Sequence, residues 1–223
     1  MRVAILGGTA GLGYGMALRL AGAGDEILIG SRRPERALAA AERIREAVGE
    51  GASVAGGANE EVVREADVVV VTVPFPAQAA MYSSIKDGLR PGAVVIDCNV
   101  PLASEVGGKP TRVLGVWEGS AAQQAKGILG KAAKLASGFH TIMAGALGAV
   151  DRPLEEDVLV CGEPEARKVA EEIVGRIPGA RFIDCGPLEA ARILESLTAL
   201  LIGINQRYKL EPGAGIRITG LGP

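Results

Sequence analysis

The apolar run Val3-Ala4-Ile5-Leu6 breaks at Gly7-Gly8-Thr9-Ala10-Gly11-Leu12-Gly13 and passes into a helical pattern. A second apolar run, Ile27-Leu28-Ile29, then ends at Gly30-Ser31-Arg32-Arg33. Strand, glycine turn, helix and strand in that order predict a βαβ unit. The order is restrictive, because parallel neighbours need a crossover helix and a sheet covered on both faces. The alternation continues along the chain. Strands are expected at residues 53–55, 67–73, 93–97 and 138–143, with helices at 60–66, 77–88 and 121–136. Strands at 158–161 and 181–184, around a helix at 163–177, extend the sheet. A long apolar helix at 188–208 precedes a tail rich in glycine and proline. The fold class is α/β: a doubly wound Rossmann-type parallel sheet with a small helical C-terminal domain. The boundary falls in the 145–153 stretch, giving a nucleotide-binding domain at 1–144 and a C-terminal domain at 145–223.

Aligned from Gly8, the turn reads G-T-A-G-L-G, with Ala10 where G-x-G-x-x-G carries its middle glycine. Such a turn aims backbone amides and the positive end of a helix at an anion. In dinucleotide-binding units the tip of the second strand faces the adenosine ribose, where an Asp or Glu accepts from the 2′-hydroxyl. This chain places Ser31 and Arg32-Arg33 there, with Arg36 one helical turn onward. A carboxylate would repel a 2′-phosphate, whereas a hydroxyl and guanidinium groups attract one. The cofactor read from these residues is NADP(H) rather than NAD.

A net charge of −2 without a basic block gives no footing for nucleic acid or an anionic membrane. Apolar residues make up 48% of the chain, but no uninterrupted run approaches the ~20 needed to span a bilayer. A strand expected from residue 2 leaves no room for a signal peptide, so the expected location is cytoplasmic. Cys98, Cys161 and Cys185 match neither a disulfide framework nor zinc spacing and read as reduced thiols.

In a sheet of this kind the ligand lies outside the carboxyl ends of the strands. Thr72-Val73-Pro74-Phe75-Pro76 is then either a rigid wall against a nicotinamide ribose or a plain helix start. Asn99 either hydrogen-bonds a ribose or carboxamide or caps its turn. His140, the one histidine of the chain, either completes a packed strand end or donates toward a cofactor. No G-x-S-x-G elbow, close Cys/His pair or multi-histidine metal set is present. No acid–base pair is identifiable by spacing either. Hydride passed between two redox cofactors suits such a chain, since it asks the protein mainly for positioning.

Residues 1–9, Gly30-Ser31-Arg32-Arg33, Phe139-His140-Thr141-Ile142, Gly186-Pro187-Leu188 and Glu195-Ser196-Leu197-Thr198 together resemble the NADPH-dependent reductases of coenzyme F420, the 8-hydroxy-5-deazaflavin:NADP oxidoreductases. The resemblance implies that Thr9, Ala10, Gly11 and Leu12 hold the pyrophosphate, and that Ser31, Arg32 and Arg36 hold the 2′-phosphate. It places Phe75, Ala77, Val100 and Ala144 along the nicotinamide half, beside Pro74 and Asn99, with Ala214 of the tail among the cofactor contacts. His140 orients a cofactor. The C-terminal domain is implied to form the deazaflavin pocket and to pair two copies as a homodimer. Lys109, Arg112, Arg207 or Lys209 is positioned to attract the anionic deazaflavin tail. The sequence departs from the family at Ala10, at Phe75-Pro76 and at 209–212. Two other functions stay open at this level: reduction of a small imine or keto acid by NADPH, and a non-catalytic NADP-binding regulatory module.

Overall fold

The computed structural model describes residues 1–211 and 213–221. Pro212 of the divergent tail segment, with Gly222 and Pro223, lies outside the described residues. Five strands alternate with helices through the first half: β1 (Arg2–Leu6), α1 (Gly11–Gly22), β2 (Glu26–Ser31), α2 (Pro34–Val48), β3 (Val54–Ala58), α3 (Asn59–Val62), β4 (Val68–Val71), α4 (Phe75–Ile85) and β5 (Val94–Asp97). Then follow α5 (Ala121–Leu129), β6 (Lys134–Gly138), α6 (Ala144–Gly148), β7 (Asp157–Gly162), α7 (Pro164–Gly175), β8 (Arg181–Asp184) and α8 (Ala191–Tyr208).

All eight strands form one sheet in the order β3-β2-β1-β4-β5-β6-β7-β8. The pairs from β3 to β6 are parallel, β7 runs antiparallel to β6, and β8 is parallel to β7. The two strands beyond residue 153 therefore continue the same sheet, although the first of them reverses direction. Near-continuous apolar strands allow both faces to be covered. Val3 and Ile5 of β1 join Val68 and Val70 of β4 in the core beneath α1, α2 and α7. Ala4, Leu6, Val69 and Val71 face the opposite core, with Met81, Tyr82 and Ile85 of α4 and Leu129 of α5.

Two expected boundaries move, each for a local reason. The strand read at 138–143 lies at Lys134–Gly138, because Phe139 adopts a left-handed φ of 66° that ends it. The apolar Phe139–Met143 stretch is a buried connection rather than a strand. The helix expected to reach 136 stops at Leu129, where Gly130 also turns left-handed at φ 55°. Across the presumed boundary, buried Arg19 of α1 binds the second half of the chain. Its Nε donates to the Leu147 carbonyl at 2.9 Å, and one terminal nitrogen reaches the carbonyls of Ala149 and Arg152 at 2.7 and 2.9 Å. One guanidinium thereby satisfies carbonyls that the end of α6 leaves free.

Candidate nucleotide-binding site

The strand order reverses between β1 and β4, and the connections leaving those two strands meet there. Gly7 has φ +92°, and a Cβ on it would fall 2.7 Å from Thr72 Oγ1 and 2.9 Å from the Thr72 carbonyl. A Cβ on Gly13 would fall 2.4 Å from the same hydroxyl. These two glycines let the start of α1 close onto the end of β4, where the Thr72 hydroxyl donates to the Leu6 carbonyl at 3.1 Å. Ala10 stands where a glycine is usual, yet its φ of −162° is extended backbone that any residue adopts. Gly11, at φ +57°, takes the left-handed conformation instead. The substitution at position 10 is thereby absorbed. No side chain caps α1, so its first amides stay available to an anion.

A cleft of about 1020 Å³ opens over this turn. Thr9, Ala10, Gly11 and Leu12 line it from β1–α1, Ser31, Arg32 and Arg36 from β2–α2, and Pro74 and Ala77 from the start of α4. Among the described residues Arg32 and Arg36 make no ion pair or side-chain hydrogen bond. Ser31 Oγ accepts from the Arg33 amide at 3.1 Å, which orients the hydroxyl at the strand end. Unspent amides beside unpaired guanidinium groups fit a nucleotide carrying both a pyrophosphate and a further phosphate. Sequence reading missed Arg43, which donates to the Thr9 carbonyl at 3.1 Å and lies 5.0 Å over the Tyr14 ring. Its i+10 position from Arg33 in α2 gives no local signal of that reach.

The other expected residues do not line this cleft. Phe75 is half-buried, and its amide donates to Glu105 at 2.7 Å. Asn99 is buried at the end of β5, where its amide and its Nδ2 both donate to Asp97, at 2.9 and 3.2 Å. Gln78 and Tyr82 of α4 donate to the same carboxylate at 2.8 and 2.6 Å. Burial pushes the Asp97 carboxyl up, and these four donors pull against that. Val100 and Ala144 are half-buried at the ends of the following connections. His140 is buried after β6, with Nε2 3.1 Å from Ser137 Oγ and Nδ1 unpartnered. Burial lowers its pKa to about 4, so the imidazole is neutral at physiological pH.

The last helix braces this region. Thr198 donates to the His140 carbonyl at 2.8 Å. Glu195, buried, accepts from the amides of Ala121 and Ala122 at 2.9 and 3.1 Å and so caps α5 from a distance. Desolvation pushes its carboxyl up to about 8. Ala214 donates to Asn205 Oδ1 of α8 at 2.7 Å, and the Asn205 amide nitrogen lies 3.8 Å from Met143 sulfur. The tail therefore sits against the residue that precedes Ala144, while Ala214 stays outside the cleft.

A mostly parallel sheet with a glycine turn at its switch point and a cationic second-strand tip defines the class: a Rossmann-type dinucleotide-binding protein. A family model described as NADP oxidoreductase, coenzyme F420-dependent, matches residues 2–101. An F420-dependent NADP reductase of Methanocaldococcus jannaschii is 42% identical over 225 residues, covering 99% of each chain. That of Methanothermobacter thermautotrophicus is 44% identical over 224 residues, covering 99% of this chain and 96% of its own. A solved structure from Arthrobacter sp. FB24 matches with a TM-score of 0.81 at 25% identity, over 98% of this chain and 99% of that one. The chain belongs to the F420-dependent NADP reductase family. Among the described residues no helix is long and apolar enough to cross a membrane, and no His, Cys, Asp and Glu cluster of metal-binding size occurs.

Proposed function

We propose that this protein transfers a hydride directly between NADP(H) and coenzyme F420. The observation that carries the NADP half is the cleft at the switch point, where an uncapped helix start meets Ser31 and two unpaired arginines with no acid at the tip of β2. Relatives alike from end to end and named F420-dependent NADP reductases support the deazaflavin half. The amides at Thr9, Ala10, Gly11 and Leu12 hold the pyrophosphate, and Ser31, Arg32 and Arg36 hold the 2′-phosphate. Pro74 and Ala77 at the cleft wall the nicotinamide half, and Phe75, Asn99, Val100 and Ala144, outside the cleft, extend that wall toward the second ring. NADP(H) and F420 supply the two carbons between which the hydride passes.

The chain's own task is then to hold two rings together and keep water out. His140, neutral, orients a ring and transfers no proton. Residues 145–223 complete the second pocket, with Ala214 at its edge and a cation from Lys109, Arg112, Arg207 or Lys209 toward the anionic tail. The same segment pairs two copies: Ile193 and Leu200 of α8, seven residues apart, are 61% and 57% exposed on one stripe. An isotope experiment tests the reaction. Deuterium on the transferred face of NADPH carbon 4 is expected at carbon 5 of reduced F420, undiluted by solvent. Solvent hydrogen at that carbon in the first turnover overturns direct transfer. Turnover of a small imine or keto acid in place of F420 overturns the substrate.

A further inference from the structure

Asn59 lines the nucleotide cleft beside Ser31, Arg32 and Arg36, and it is the one carboxamide side chain among the described lining residues. Strand pairing puts it there. Ser31 is in register with Ala58 across β2 and β3, so the next residue of each strand end faces the same opening. Gly30 makes the approach feasible, since a Cβ on it would fall 2.9 Å from Asn59 Oδ1 and 2.3 Å from a Leu6 methyl. An asparagine at a helix start commonly serves the backbone. Here Glu61 does so instead, accepting from the Ala58 amide at 3.1 Å. The Asn59 carboxamide is left over.

Its two ends differ. Oδ1 is sealed and has no hydrogen-bond partner, in a residue only 5% exposed. Nδ2 also bonds nothing in the chain and is not among the sealed atoms, and Asn59 is a lining residue of the cleft. An unspent N–H donor thus belongs to a residue that lines the same cleft as Ser31, Arg32 and Arg36. We propose that Asn59 is a specificity-determining residue for the 2′-phosphorylated adenosine, donating from Nδ2 to the phosphate those three residues face. The proposal rests on the reading of this cleft as an NADP site. An uncharged donor at position 59 also keeps a carboxylate away from that phosphate. Glu60, at the exposed rim, is the one acid among the described lining residues.

The test uses the full chain and two fragments, 2′,5′-ADP and 5′-AMP, with affinities measured by calorimetry. The wild type is expected to bind 2′,5′-ADP more tightly. Asn59→Asp, isosteric but anionic, is expected to lower 2′,5′-ADP affinity by about tenfold or more. The affinity for 5′-AMP is expected to stay within about twofold, because its contacts are untouched. Asn59→Leu, similar in volume and without a donor, is expected to lower the 2′,5′-ADP affinity by about tenfold. It decides the matter if the Asp variant fails to fold by thermal melting. A discriminating wild type whose affinity ratio survives substitution, or equal losses for both fragments, overturns the role of Asn59. A wild type that binds both fragments alike overturns the NADP reading, and this proposal with it.

Discussion

Replacing Arg32 by alanine separates the two nicotinamide nucleotides more cleanly than any other change in the cleft. Arg32 lies at the exposed tip of β2 and makes no ion pair or side-chain hydrogen bond among the described residues. Its removal therefore orphans no buried partner, and the folded state is expected to change by no more than about 0.5 kcal/mol. The whole effect falls on binding. A charge-assisted hydrogen bond to phosphate is worth about 1.5–3 kcal/mol, which is about tenfold to more than a hundredfold in NADPH affinity. Arg36 remains on the same side of the opening, so the loss is expected nearer the lower end. Removing both is expected to exceed the sum of single losses if they share one phosphate. NADH has no phosphate there and is expected to lose little. Because the site is exposed, the difference between the nucleotides is expected to shrink as salt rises. Titration of both nucleotides at two ionic strengths, beside a thermal melt, measures all of this. Equal losses for NADPH and NADH would refute the 2′-phosphate assignment.

Three further outcomes are expected. His140→Asn lowers turnover by less than about a hundredfold, below the 10²–10⁴ range for a lost general acid or base; a loss of four decades with nucleotide binding intact refutes positioning. Leu200→Glu places a charge on the exposed stripe of α8 and converts a dimer to a monomer by light scattering; a wild type already monomeric at micromolar concentration removes the pairing. Asp157 is buried against Arg181 at 2.9 and 2.8 Å, with Arg217 at 3.3 Å and the Ile218 amide at 2.6 Å. The Arg181 hydrogen bonds lead in holding its carboxyl at about 2, below the ordinary 3.8. Its contribution, about 2 kcal/mol, is complete above about pH 5 and is lost as the pH falls toward 2. Asp157→Asn is expected to flatten that acid limb in denaturant titrations; an unchanged limb refutes the assignment.

The sheet was legible wherever one strand was one apolar run. Val68–Val71 has four β-branched residues buried on both faces and no competing helical reading. Phe139–Met143 was misread because burial alone makes a connection look like a strand, and a left-handed phenylalanine leaves no mark in sequence. The reversal of β7 was equally silent, since an apolar run does not state its direction. In the site, the glycine turn and Ser31-Arg32 were readable because local chain order alone brings them together. Arg43 and Glu195 were not, because each acts on a backbone group that helix packing brings near, and Asn59 reaches the cleft only through the pairing of β2 with β3. Asn59 had one usable signal: it follows a short strand whose partner ends at Ser31.

The two buried carboxylates near the ends of β5 and β6 are occupied with orientation. Asp97 collects Gln78, Tyr82 and two groups of Asn99, and Glu195 holds the first amides of α5. His140 is neutral. A proton delivered by a side chain here would require one of these groups to exchange with solvent, and every one is buried. The hydride step itself asks no proton of these side chains; the charge it leaves on the acceptor ring takes its proton from solvent, and the step rewards a frame that does not move. The frame depends on α8, whose Glu195 and Thr198 reach inward to α5 and the His140 carbonyl. Ile193 and Leu200 face the other way. If two copies meet on that outer stripe, pairing would clamp the helix that fixes the strand ends, and the geometry of one site would depend on the presence of the second chain.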